Sequence, residues 1–412
     1  MQMPAEGRPW EEVRSEMLAR GTGDVAWREG KTAVYVFNAG EDVHALQHEA
    51  YGLFMAENGL GPLAFPSLAQ MEKDVISMAL GLLHGPEGST GAITSGGTDS
   101  ITMAIKTARD YARANGKPKD RANIVIPRSG HLAFHKAALL MDIEIRSVPL
   151  KTDGSYEADP VAMAAAIDEA TIMMVGSAPN FPHGIIDPIA ELGKIAEAKG
   201  VWLHVDACVG GYFAPFARMN GVPVPDFDFA VPAVKSISAD LHKYGYCAKG
   251  ASTVLFRSGE LYKYMPFTLS EWSGAPMKTP TLAGTRPGGA ISAAWAVMNV
   301  LGVSGYREKQ GLVCQTRERI EEGVKALGFE VLGKPLLGLV AFRHPGADTL
   351  ALYSAMRQRG WFTSFTVEPP SLHLMLSPKH AEVADGYLAD LAASLEAVKA
   401  GEAGPKVEAR YS

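Results

Sequence analysis

"TIMMVGSAPNFPHGIIDPIAELGKIAEAKGVWLHVDA", residues 171 to 207, reads as a strand, a helix and a second strand. The apolar runs at 171–177 and 201–207 are each the length of one buried strand. Between them "IAELGKIAEAKG" spaces its apolar residues as a helix does and stops at a glycine. The same alternation extends both ways. "GAITS" (91–95), "NIVIP" (123–127), "IEIRSVPL" (143–150) and "KSISA" (235–239) are strand-like, and "SITMAIKTARDYARANG" (100–116) is helix-like. Strands separated by helices predict an α/β fold, a mostly parallel sheet covered on both faces. "ASTVLF" (251–256) follows "HKYGYCAKG" too closely for a helical crossover, so an antiparallel return is expected there.

Flanking this unit, residues 1–60 read as a mostly helical lead-in with a strand expected at "TAVYVF" (32–37). A helix is expected over 66–85, with Ser67 and Gln70 spaced as a capping box. Beyond residue 300 the text restarts with a long helix (307–327), strands at "FEVLG" and "LVAFRH" and a last helix near 379–399. This predicts a lead-in of 1–60, a large domain of 61–300 and a smaller α+β domain of 301–412. The tail from 401 is expected to be loosely held.

With 412 residues, 47% hydrophobic and 20% charged, the chain can bury a large core. A net charge of −6 gives no reason to expect a nucleic-acid partner. Cys208, Cys247 and Cys314 are too few and too scattered for a disulfide framework, so a reducing, cytoplasmic setting is expected. The first residues lack the order of a signal peptide, and no membrane-spanning segment is expected.

Four features fall at strand ends, where open α/β sheets bind ligands. "TSGGTDS" (94–100) is either a tight turn or a loop whose amides and helix start meet a phosphate. His131 and His135 are four apart, but the glutamate of a zinc helix and a third ligand are missing, so no metal is expected; an aromatic platform or a plain helix-start histidine remains. His204 and Asp206 end a strand, and Asp206 is either a helix cap or the counter-ion of a protonated heterocycle. Lys243 is either a snorkelling lysine or a buried amine that loses part of its preference for the proton and attacks a carbonyl. In this order on one α/β unit, the four describe a pyridoxal phosphate site, with Asp206 on the ring nitrogen and Lys243 on the aldehyde.

The stretches "TSGGTDSI", "GSAPNFPHGIIDPI", "HVDACVGGY", "SISADLHKYGYCAKG", "TLAGTRPGG" and "PPSLHLML" resemble those of pyridoxal-phosphate-dependent sphingosine-1-phosphate lyases. These belong to the group II decarboxylase branch of the aspartate aminotransferase fold, type I. The resemblance spans roughly residues 33 to 400 and implies a seven-stranded sheet and a homodimer with shared active sites, to which residues 1–60 contribute. It implies that Lys243 carries the cofactor, that Asp206 pairs with its ring nitrogen and that His131 stacks on the ring. Ser95, Gly96, Gly97, Thr98 and His242 would hold the cofactor phosphate, with Thr285 reaching it from the second subunit and Ser177 and His204 close to the ring. Lys249 would bind the substrate phosphate, helped by Tyr35 and Asn58 of a neighbouring chain.

The implied reaction is a retro-aldol cleavage of a phosphorylated sphingoid base to a long-chain aldehyde and phosphoethanolamine, with Lys243 and His131 both candidates for the base. The absence of a leading apolar helix matches the soluble, bacterial-type form. Two positions depart from the family pattern: Gly61 stands where "NPLHPDIFPG" has histidine, and Phe181 where some members have tyrosine. An amino-acid decarboxylase on the same scaffold, or a cofactor-binding protein without turnover, are the alternative readings.

Overall fold

The computed structural model of the chain describes residues 2–118 and 120–402. Seven strands form the main sheet: β1 Thr90–Thr94, β2 Asn123–Pro127, β3 Glu144–Val148, β4 Thr171–Ser177, β5 Trp202–Asp206, β6 Val234–Ala239 and β7 Ser252–Phe256. Their order is β1-β7-β6-β5-β4-β2-β3. Strands β2 to β6 are parallel, and β7 lies antiparallel to both β1 and β6, as its short connection requires.

The apolar runs have a simple cause. Strands β2, β4 and β5 are buried along their whole length because helices cover both faces of the sheet. Ile124, Ile126, Met173 and Val175 point into one apolar core, and Val125 and Met174 into the other. The edge strand β3 is mostly uncovered and accordingly carries Glu144, Arg146 and Ser147.

Two local expectations are corrected. Residues 32–37 form no strand: Thr32 makes one isolated bridge to Phe362, and Tyr35 takes φ 65°, which an extended strand cannot contain. The helix Pro66–Leu82 forms, but without the capping box. Phe65 occupies the cap position, Pro66 opens the helix, and Gln70 donates instead to Asp74 at 2.8 Å.

After the exposed hairpin β8 Phe267–Leu269 and β9 Met277–Thr279, the helix Gly288–Ala326 runs through residue 300 without leaving the helical register except at Gly302 (φ 53°). Among the described residues it is the one helix long and apolar enough to cross a membrane. Half of its most apolar window is buried inside the molecule. It leads to a second, antiparallel sheet of β10 Glu330–Val331, β11 Leu339–Arg343, β12 Ser364–Val367 and β13 Pro370–Met375, in the order β10-β11-β13-β12, and to the last helix, Ala384–Lys399. Residues 403–412, most of the expected loose tail, lie outside the described residues.

Candidate active site

Where the parallel strands end, a cavity of about 210 Å³ opens between the start of helix Gly97–Ala114 and the loops that follow β2, β4, β5 and β6. Gly97, Thr98, His131, Asp206, His242 and Lys243 all line it, so six of the residues singled out in the sequence converge on one space.

The glycine loop is dictated by crowding. A Cβ on Gly97 would lie 2.8 Å from an Asp240 carboxylate oxygen and 3.0 Å from the Cys208 sulfur, and one on Gly96 would lie 3.3 Å from the His242 ring. The helix that begins here has no side-chain cap, so its first amides remain for an anion. Ser95 turns away from them, donating through both N and Oγ to Asp99 Oδ2 at 3.0 and 3.1 Å. Gly97→Ala should therefore cost about 1–3 kcal/mol of stability through overpacking. It should also weaken cofactor retention, read by thermal unfolding and by visible absorbance after dialysis.

Asp206 ends β5. Its Oδ1 accepts from the Cys208 amide at 3.1 Å and from Ser238 Oγ at 3.3 Å, which fixes the carboxylate against the cavity. His204, two residues earlier, is held below it by Ser236 Oγ at 2.8 Å and Ser238 Oγ at 3.2 Å. Burial pushes the His204 imidazole down to about 4 against the opposing pull of Asp206, so it is neutral. Ser177 at the end of β4 is also buried, with its amide on Asp187 Oδ2 at 2.7 Å and its Oγ without a hydrogen-bond partner. Neither His204 nor Ser177 reaches the cavity wall.

Lys243 departs from the expectation of a lysine inclined to neutrality. Burial does act to lower its pKa, but the Asp240 carboxylate at 3.0 Å, with further help from Cys208 and Asp206, outweighs it and the value is raised. Asp240 is 2% exposed. Burial works to raise its carboxyl and Lys243 and His242 more than reverse this, so it is lowered. The lowered acid contributes stability above its unfolded value and the raised ammonium contributes below its own, so both contributions are present at neutral pH. Sequence reasoning assigned Asp240 no role. Its signal is an aspartate three residues before the lysine in "SADLHK", a spacing that sets two side chains side by side.

His131 accepts the Ala133 amide at Nδ1 (3.2 Å) and meets the Phe181 ring edge-on at 6.4 Å. Burial, then the charge of Lys243, lower its pKa, so the ring is neutral with its proton on Nε2. His135 is exposed on the helix beyond. His242 is pushed down to about 4, mainly by burial, and its Nδ1 is buried without a partner.

The remaining candidates lie outside this cavity. Lys249 donates to the carbonyls of Tyr35 (2.8 Å) and His242 (3.3 Å) of its own chain. Asn58 donates through Nδ2 to Thr285 Oγ1 at 3.2 Å, so these two form one patch. Gly61 sits in a turn with its amide on Asn58 O at 3.2 Å and room for a side chain.

The cavity suits pyridoxal phosphate. It offers a crowded glycine cradle at an uncapped helix start, an orphaned His242 Nδ1, a fixed carboxylate and a lysine. Residues 3–345 match the family described as the pyridoxal-dependent decarboxylase conserved domain. The chain is similar to the sphingosine-1-phosphate lyase of Oryza sativa, 41% identical over 92% of this chain and 71% of that protein. It is also similar to that of Arabidopsis thaliana, 40% identical over 94% and 72%. The solved sphingosine-1-phosphate lyase of Burkholderia pseudomallei superposes with a TM-score of 0.93 at 34% identity, covering 98% of this chain and 94% of that one. With this fold, this cavity and these relatives, the chain belongs to the sphingosine-1-phosphate lyase family of the pyridoxal-dependent decarboxylases.

Proposed function

We propose that this protein is a pyridoxal-phosphate-dependent lyase that cleaves sphingosine-1-phosphate, or a related phosphorylated long-chain amino alcohol, to a long-chain aldehyde and phosphoethanolamine. The bound cofactor supplies an electron sink conjugated with the substrate amine, into which the electrons of the broken carbon–carbon bond can move. Asp206 holds the proton on the cofactor ring nitrogen. The first amides of helix Gly97–Ala114, with Thr98 and His242, hold the cofactor phosphate. His131 covers the ring and donates through Nε2, because its Nδ1 already accepts a backbone amide. That leaves Lys243 Nζ to take the hydroxyl proton as the bond breaks and to return a proton to the carbon left behind. Beside Asp240 the free Lys243 is an ammonium, so it would serve as this base only from its neutral form, released when the substrate amine takes its place on the cofactor.

The observation that carries the substrate reading is Lys249. It is a second cation, one hydrogen bond from the His242 carbonyl and outside the Lys243 cavity, which supports a phosphate on the substrate as well as on the cofactor. Partial desolvation first, then the charge of Lys243, lower it to about 8, with Asp240 working the other way. A phosphate monoester is a dianion above about pH 6. So kcat/KM should fall as pH rises through about 8, where the free enzyme's Lys249 gives up its proton. Lys249→Ala should lower kcat/KM roughly ten- to a hundredfold, the loss of one charge-assisted contact. It should also erase that limb of the pH profile and leave the cofactor absorbance intact. Normal cleavage by Lys249→Ala would remove the assignment. Release of carbon dioxide from an L-amino acid, with no aldehyde from the phosphorylated base, would select the decarboxylase reading instead.

The site is completed by a second copy of the chain. Asn58 and Thr285 do not line the cavity of their own chain. Leu53, Met55 and Leu63, which flank Asn58 in sequence, and Phe267, Trp272 and Leu282, which precede Thr285, are exposed apolar side chains. Such a surface supports a homodimer that offers these polar residues across the interface. Cys208, Cys247 and Cys314 are buried free thiols, which supports a cytoplasmic setting.

A further inference from the structure

We infer that a second cavity, of about 650 Å³, receives the alkyl chain of the substrate, an assignment that rests on the lyase function proposed above. His131 and Phe181 line both this cavity and the smaller one that holds Lys243, so the two spaces share a wall. Two further cavities, of about 750 and 540 Å³, share no lining residue with the Lys243 site. An alkyl chain attached to the reacting carbon can extend into a neighbouring space but not into a remote one.

The lining fits a hydrocarbon. Leu132 contributes from beyond β2, Leu150 from beyond β3, Pro182 from the loop after β4, and Phe365 and Val367 from β12 of the second sheet. The charged groups at its edge are already engaged. Arg128 pairs with Glu368 at 2.6 Å, both largely exposed, and Lys151 pairs with Glu157 at 2.7 Å. Ser129, Tyr156, His183 and Thr366 add polar atoms to the wall, but most of the lining surface is carbon, and the volume falls within the range of about 300–1,000 Å³ usual for small-molecule pockets. Phe181 matters at the seam. A tyrosine there would bring a hydroxyl to the join between the spaces, whereas the phenyl ring, 4.7 Å from His373 and 6.4 Å from His131, keeps it apolar. Leu132 and Val367, 51% and 67% exposed, stand at the outer end, where a long chain would enter from solvent.

Each methylene moved from water into such a lining strengthens binding by roughly fourfold until the space is filled. The test uses the holoenzyme and a series of phosphorylated 2-amino-3-hydroxy alkanes running from short to long chains, with wild type, Val367→Trp and Leu132→Trp. Both replaced side chains are largely solvent-exposed, and retained cofactor absorbance reports an intact site. For wild type, kcat/KM should climb steeply with chain length. In either variant the loss on the longest chain should exceed the loss on the shortest by about tenfold or more. A slope against chain length that is the same in the variants as in wild type overturns the assignment.

Calorimetric binding of n-alkyl amines to the same three proteins separates this inference from the function beneath it. Length-dependent binding that the tryptophans weaken supports the alkyl cavity even if no aldehyde forms from any phosphorylated base, a result that would sink the lyase reading. Alkyl amines that bind with no dependence on length overturn the cavity assignment.

Discussion

Lys243→Ala should lower kcat by about a thousandfold or more, because one side chain serves as both the covalent anchor and the base, and loss of either role costs about 10²–10⁴. Among the described residues that line the site, Lys243 is the one lysine or arginine, so no neighbouring amine stands ready to substitute. The variant should also lose the visible absorbance that comes from covalent attachment. After borohydride treatment, its mass should show no added cofactor. A variant whose mass still increased by one cofactor at this site would contradict the assignment. Lys249→Ala is the matched control: it removes a cation one hydrogen bond from His242 and should keep both signals.

Asp206→Asn should reduce kcat by about 10²–10³, the usual loss when one preorganised electrostatic partner is removed. Asparagine preserves the volume, and its side-chain oxygen can still accept from the Cys208 amide and Ser238 Oγ, so the fold and the cavity should survive. What it cannot do is hold a proton on the heterocycle by charge. The expected signature is a fall in kcat with little change in KM, since the contact matters most when electrons flow into the ring. Steady-state kinetics with the phosphorylated base, alongside cofactor absorbance, would check this. A kcat within twofold of wild type would mean that Asp206 is only a buried structural acid.

How much of this was legible beforehand follows from the physics of each part. The seven strands were readable because a sheet covered on both faces demands unbroken apolar runs, and glycines and prolines bound them. Residues 32–37 have the same β-branched and aromatic composition but fail as a strand, since Tyr35 adopts a left-handed backbone that composition does not encode. The sequence pattern places a restart after residue 300 and a helix from 307, because the apolar spacing does not show that the preceding segment is already helical. The chain instead bends at Gly302 and continues, held by packing on both sides.

In the site, Lys243, Asp206, His131 and the glycine loop converge as their positions at strand ends required. Asp240 was missed because a carboxylate beside a helix-like turn resembles any solvated acid until its burial is known. Asn58 and Thr285 were singled out only by the family resemblance, since nothing in their local sequence pattern marks them, and they lie outside the Lys243 cavity of their own chain.

The Asp240–Lys243 pair also bears on the life of the protein before it meets its cofactor. A newly made chain that buried a lone ammonium at the heart of its largest sheet would need the vitamin-derived group as a folding template. Here the opposite charge is supplied from the same turn, at 3.0 Å. The ammonium of the finished chain is thus balanced by a carboxylate of its own turn, so the fold does not depend on a bound group to offset that charge.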